Sequence, residues 1–175
     1  MSKLKTGMFL IIEKLLHFCI VPQLRARLLK LFGARVGKNV RIYEITLINL
    51  NSGFKNLIIE DDVHIGTGCM LDLAGKIILR RGATLSPRVT IITHVNPGIK
   101  HNSPLASLYP SSVGNVEIGE YAWIGASSTV LKGAKVGNCA VIGACSLVNE
   151  NIPEKTVAFG LPAKVYKELK FPEGE

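Results

Sequence analysis

Four histidines (His17, His64, His94, His101) and four cysteines (Cys19, Cys69, Cys139, Cys145) are the side chains of this 175-residue chain best suited to proton transfer, nucleophilic attack or metal binding. The cysteines form no C-x-x-C pair and no zinc-ligand spacing. Cys69 reads as a buried reduced thiol. His64, His94 and His101 do not show the spacing of a convergent three-histidine zinc set. Imidazole, with an unperturbed pKa near ~6.5, is suited to acid–base work near neutrality, although a lone histidine by itself reads first as a surface turn residue. His94 occupies the most conspicuous position of the four. The chain reads "IITHVNPGIK" from 91 to 100, and a regular aliphatic pattern that runs to Ile91 is lost until Ile118. His64 falls inside the pattern and is read as incidental, and His17 belongs to an apolar N-terminal stretch.

The elements that must position these residues are set by that pattern. An aliphatic recurs at every sixth position: Ile59, Ile65 and Leu71, then, after a slip of two residues, Leu79, Leu85 and Ile91. It resumes as Ile118, Ile124, Val130, Val136, Ile142 and Val148. Four places after most of these stands a mostly small residue, such as Ala83, Ala122, Ser128 or Ala140, and glycine often follows the aliphatic directly. A period of six fits neither a helix face nor a simple alternating strand. It predicts short parallel strands stacked as a β-solenoid, each coil burying its inner face against its neighbours. The 47% hydrophobic content with few aromatics suits such a filling, and the length suits one domain.

Charge is concentrated at one end. Residues 1–41 contain nine Lys and Arg and a single acid, Glu13, so they carry the whole formal charge of +8. The same segment is apolar, "MFLIIEKLLHFCIV" followed by "QLRARLLKLFG", and predicts two amphipathic helices. Pro22 can open the second at its first position and Gly33 can close it. Met8 to Val21 is too short and too charged to span a bilayer, which needs ~20 apolar residues. Capping the open end of the solenoid accounts for the apolar residues, but gives no reason for nine cations. Contact with an anionic membrane surface accounts for both, and the two roles are expected together. No nucleic-acid motif accompanies the charge, so nucleic acid is not expected as a partner. No cleavable signal is evident, and the expected location is cytoplasmic, peripheral at the inner membrane face.

The run "EYAWIGASSTVLKGAKVGNCAVIGACSLVNENIPEKTVAFGLPAKVYKEL", with its W-I-G, I-G-A and G-x-P-A-K elements, resembles the bacterial hexapeptide-repeat acyltransferases. It is most similar to the sugar O-acetyltransferases: galactoside, maltose and exopolysaccharide enzymes. The resemblance spans roughly residues 36 to 170. It implies an all-β fold, a left-handed parallel β-helix over 36–163 with a loop at 95–115. The N-terminal amphipathic helices would occupy 1–35, and a short C-terminal helix or tail 164–175. It further implies a homotrimer with active sites between subunits, and acetyl transfer from acetyl-CoA to a sugar hydroxyl without a metal.

Site residues follow from the resemblance position by position. In the family, a histidine after a "P-x-V-x-I" coil and before an outward loop is the general base; here Pro87, Val89 and Ile91 lead to His94. Trp123 and Gly125 fall in the coil that faces the thioester, and the backbone N–H of Ala126 matches the donor to the acetyl carbonyl. Gly143 and Ala144 match a contact to the pantetheine arm, while Lys164 and Lys167 fall where the family places cations near the coenzyme's phosphates. The chain departs from the pattern at Asn149-Glu150, where one such cation is lost, and at "GTGCMLD", where an acceptor-binding asparagine is missing. Asp72 could replace that asparagine by binding sugar hydroxyls or by orienting His94, though it also fits an ordinary turn. Asn96 and His101, in the loop, are candidate acceptor contacts. Three alternatives stand beside this reading: N-acetylation of an amino sugar, a γ-carbonic-anhydrase-like zinc hydratase, and a non-catalytic solenoid scaffold.

Overall fold

Each aliphatic of the six-residue repeat lies in a short strand and points inward, and three such strands complete a coil. The structure, a computed structural model, describes residues 3–98 and 104–172. Face one stacks β1 (Arg35–Val36), β4 (Leu57–Ile59), β7 (Ile77–Leu79), β12 (Val116–Ile118) and β15 (Lys135–Val136). Face two stacks β2 (Arg41–Ile42), β5 (His64–Ile65), β8 (Thr84–Leu85), β13 (Trp123–Ile124), β16 (Val141–Ile142) and β18 (Thr156–Gly160), and β19 (Ala163–Glu168) closes its end. Face three stacks β3 (Ile45–Ile48), β6 (Cys69–Asp72), β9 (Thr90–Ile91), β14 (Thr129–Val130) and β17 (Leu147–Val148). Ladders between successive coils are parallel and in register, as in Leu71↔Ile91 and Ile91↔Val130. All twelve repeat aliphatics are buried, and so are the small residues that follow them, including Cys69. Burial pushes the Cys69 thiol up to about 11, which keeps it protonated.

The repeat is broken once, and the coils close over the break. After Ile91 the chain leaves the stack, returns as β12 on β7 and β14 on β9, and its excursion is pinched at the base by an antiparallel pair. That pair is β10 (His94–Val95) with β11 (Ser112–Val113). A four-residue helix, α3 (Leu105–Leu108), lies in the excursion.

The N-terminal segment forms α1 (Lys3–His17) and α2 (Pro22–Leu31), with Pro22 in the first turn of α2. Helix α2 lies on β1 and β2, and Leu29 is fully buried there. Arg25 is buried as well, and its guanidinium donates to the carbonyls of Leu16 (3.1 Å), Ile42 (2.8 Å) and Cys19. One cation thus ties both helices to the first coil. Arg25→Ala removes all three bonds and leaves the Ile42 carbonyl without this donor, while the Leu16 carbonyl keeps the Cys19 N–H (3.1 Å), so we expect a loss of about 2–4 kcal/mol, measured by urea unfolding and by faster hydrogen exchange in α2.

Among the described residues, the helix expected as one form of the 164–175 segment is not formed. Ala163–Glu168 is strand β19, antiparallel to β18. Residues such as Lys164, Lys167 and Glu168 favour a helix in isolation, but β16 and β18 present an edge that needs a partner, and tertiary pairing overrides propensity. The reversal uses Gly160 at φ +108°, and Phe159 packs on Tyr166 with ring centroids 5.2 Å apart.

Candidate active site

The two-residue slip in the repeat seats a buried aspartate against His94. Between Leu71 and Ile77 the coil makes a wider corner, and Asp72 turns inward at the end of β6 with no solvent exposure. Its Oδ1 accepts from Asn49 Nδ2 (2.8 Å) and the Ala74 N–H (3.1 Å), and its Oδ2 from the Thr93 N–H (2.8 Å). His94 Nδ1 stands 2.6 Å from the same Oδ2. Burial alone would push the Asp72 carboxyl up, but the bonds from His94, Asn49, Ala74 and Thr93 outweigh it and hold it below its ordinary value. The carboxylate is therefore ionised and has no proton to give, so the hydrogen between the two side chains resides on His94 Nδ1. Asn49 Nδ2 also lies 3.4 Å from Nδ1, a donor beside a donor, which makes that approach a contact and not a bond. Nε2 is left with its lone pair.

The backbone is arranged to hold this pair. Thr93, fully buried, donates its hydroxyl to the Asp72 carbonyl and accepts from the Gly75 N–H, both at 2.8 Å. A side chain at Gly75 would meet the Gly114 carbonyl at 2.7 Å, so glycine there lets the base of the excursion close onto the corner. His94 then lines a cavity of about 300 Å³ with Asn49, Asn51, Ala74, Asn96, Ser112 and Val113. Asn96 lines the same cavity, whereas Asp72 does not. With both oxygens engaged and no exposure, Asp72 cannot reach a sugar, and of its two expected roles only orientation of His94 fits the geometry. His101 lies outside the described residues. Asn49 was not singled out from the sequence; its one signal is a polar residue directly after the inward run Ile45–Ile48, the register position next to Asp72.

A second group of expected residues assembles elsewhere. At the corner between faces two and three, Gly125 N–H donates to Ile142 O and Gly143 N–H to Ala158 O, so the coils stack tightly. A Cβ on Gly125 would lie 2.5 Å from the Ala144 nitrogen. Among the described residues, the N–H groups of Ala126 and Ala144 meet no acceptor, and both residues reach the surface. Two open donors therefore stand one rung apart, roughly 4.8 Å. In the preceding coil the equivalent position is Pro87, which has no N–H. Trp123 is half-exposed beside them, its indole N–H donating to Ser86 Oγ at 2.8 Å. Lys164 and Lys167 are exposed on β19, and Lys164 Nζ lies 3.7 Å from a Glu150 carboxylate oxygen, so that cation is shared with the acid that breaks the family pattern. The structure does not bring this column to His94 within one chain. The histidine follows face three, and Ala126 and Ala144 follow face two, at different corners of the coil. His64 packs on Tyr43 with ring centroids 5.3 Å apart and lies on face two, two rungs before Trp123. Among the described residues, no three His, Cys, Asp or Glu side chains converge as a metal site.

Residues 115–150 match the family model described as bacterial transferase hexapeptide (six repeats). The chain is 34% identical, over 118 residues, to the putative lipopolysaccharide biosynthesis O-acetyl transferase WbbJ of Escherichia coli K12; the match covers 64% of this chain but only 57% of that protein. It is 32% identical to a galactoside O-acetyltransferase of Lactococcus lactis over 85% of this chain and 69% of the relative. A maltose O-acetyltransferase from Clostridium difficile has the same fold, with a TM-score of 0.77 at 23% identity, over 97% of this chain and 90% of that structure. Coil, corner and sequence agree: the chain belongs to the bacterial hexapeptide-repeat acyltransferases.

Proposed function

We propose that the protein transfers an acetyl group from acetyl-CoA to a sugar hydroxyl, with His94 as general base. The observation that carries this reading is the buried Asp72 carboxylate 2.6 Å from His94 Nδ1. A hydroxyl attacks a thioester only as it loses its proton, and a histidine whose Nδ1–H is fixed by a carboxylate presents Nε2 as the acceptor. The O–H proton passes to Nε2 as the oxygen bonds to the acetyl carbon, and the same nitrogen returns a proton to the departing thiolate. The open N–H of Ala126 suits the oxygen of the tetrahedral intermediate, and that of Ala144 suits the amide-bearing arm of the donor. Because base and column sit at different corners, the site is complete only between two copies. This supports the homotrimer that the family resemblance implies. The alternative, N-acetylation of an amino sugar, makes less use of such a pair, since a neutral amine attacks before it loses its proton.

The direct test is acetyl-CoA bearing a labelled acetyl group, offered to nucleotide sugars and glycan repeat units. Label released by hydroxylamine marks an ester, and resistant label marks an amide and overturns the O-transfer. A further expected result concerns the column. Ala144→Leu should raise KM for acetyl-CoA by about tenfold or more, because a branched side chain would project from an exposed corner beside the open donor. Co-assembled in equal amounts with His94→Ala subunits, it should regain activity, with about a quarter of the sites carrying an intact base and an intact column. Absence of any regain would place both groups in one chain.

A further inference from the structure

Helix α1 has two apolar faces, and the solenoid covers only one. Phe9, Ile12 and Leu16 pack inward, where Phe9 meets Phe54 edge-on at 5.2 Å. Leu4, Met8, Ile11 and Leu15 recur at intervals of four, three and four on a neighbouring face, turned about 100° around the helix, and Phe18 extends the row just past it. These side chains are exposed, Leu4 at 85% and Phe18 at 83%, and Ile20 beyond them reaches 90%. A row of large exposed apolar side chains beside a packed apolar face marks a surface that is ordinarily covered. The charges argue for what covers it. The segment's only acid, Glu13, is buried and bonded to His17 Nε2 (2.9 Å), the Leu47 N–H and Lys14 Nζ (3.3 Å), so it offsets Lys14 and leaves the other cations of the segment unbalanced by any acid of its own. Lys5, Lys14, Arg27, Lys30, Arg35, Lys38 and Arg41 are exposed. Arg27, Lys30 and Lys38 also line a cleft of about 320 Å³ whose walls carry no carboxylate. Fifteen residues of helix reach about 22 Å, short of the ~30 Å hydrocarbon thickness, and no described helix is long and apolar enough to cross a membrane. An apolar stripe edged by cations on a helix of that length is suited to lie in the surface of an anionic bilayer.

The position of α1 gives this surface a consequence for the acceptor. The helix rests on β3 and on the short turn Leu50–Ser52. That turn carries Asn51, which with Asn49 forms one wall of the His94 cavity. Val95 and Val113, both exposed, line it as well. We propose that α1 docks the protein on anionic lipid and that the His94 cavity, at the rim of this contact, takes a sugar carried on a lipid. The second half rests on the acyltransferase reading, and the first does not.

Flotation of the full chain with vesicles of roughly one-quarter phosphatidylglycerol in phosphatidylcholine tests the docking. Binding should exceed that to pure phosphatidylcholine, fall as salt is added, and drop at least about tenfold in the double variant Ile11→Asp/Leu15→Asp. These two side chains are exposed, so the variant should keep its fold by circular dichroism. No flotation of the intact chain overturns the docking. So does a double variant that floats normally but loses subunit mass by light scattering, which would make the stripe a contact between copies. For the acceptor, labelled acetyl-CoA and enzyme are incubated with solvent-extracted lipids and, separately, with the water-soluble sugars of the same cells. Ester label in the lipid fraction is expected, and label confined to the soluble fraction overturns the lipid-carried acceptor. Transfer to neither fraction, with vesicle binding intact, overturns the acyltransferase reading and the acceptor with it, and leaves the docking standing.

Discussion

His94→Ala is expected to lower acetyl transfer by about 10²–10⁴-fold, the usual contribution of a positioned general base. The coils should be unaffected, because the core is made by inward aliphatics such as Leu85 and Ile91 and His94 sits at the base of an excursion. KM for acetyl-CoA should stay within a few-fold, since the proposed donor contacts are backbone groups on another corner. His94→Asn should be nearly as damaging: it is polar but cannot take the proton. Steady-state kinetics on both variants check this, and near-normal turnover in either would remove His94 from the chemistry and favour the scaffold.

Asp72→Asn should cost about 10²–10³-fold in kcat, with KM for acetyl-CoA little changed. The two oxygens of Asp72 accept from four donors: Asn49 Nδ2 and Ala74 N–H on one side, Thr93 N–H and His94 Nδ1 on the other. Whichever way the amide turns, its NH₂ faces donors, and turned toward Nδ1 it favours the ring tautomer with the proton on Nε2, the nitrogen that must be free. A structural role alone would not divide kcat from KM in this way. Stability gives a second readout. The Asp72 carboxyl lies below its ordinary value, so the stability it contributes is present above the ordinary carboxylate range and is lost as pH falls through the folded value. The variant should lack that acid-side loss, and a wild-type-like acid limb would place Asp72 outside the linkage.

The coils were legible from the sequence because each rung is specified locally. An aliphatic at every sixth position and a small residue four places on fix which side chains point inward, whatever the neighbouring coils do. The corner chemistry was not specified in that way. Asp72 and His94 are separated by 22 positions in sequence and meet only because β6 and β9 stack in register. The same residue that the sequence leaves between turn former and sugar contact becomes a buried partner once the slip is folded. Asn49 is further removed still, 45 positions from the histidine it approaches. At the C-terminus the error had the opposite cause. The resemblance implied a helix or tail there, and the free edge of β18 makes "AKVYKE" a strand instead.

The stacking of β12 on β7 and β14 on β9 has a consequence for how such a protein can diversify. The coil before the excursion and the coil after it pair as if nothing lay between them, with Ile77↔Val116 and Ile91↔Val130 in direct register. Among the described residues, no ladder of the coils uses the stretch between β10 and β11. We expect that stretch to behave as an interchangeable cassette, open to recutting for another acceptor, while the His94–Asp72 contact beneath it and the Ala126–Ala144 column around the corner keep their coordinates.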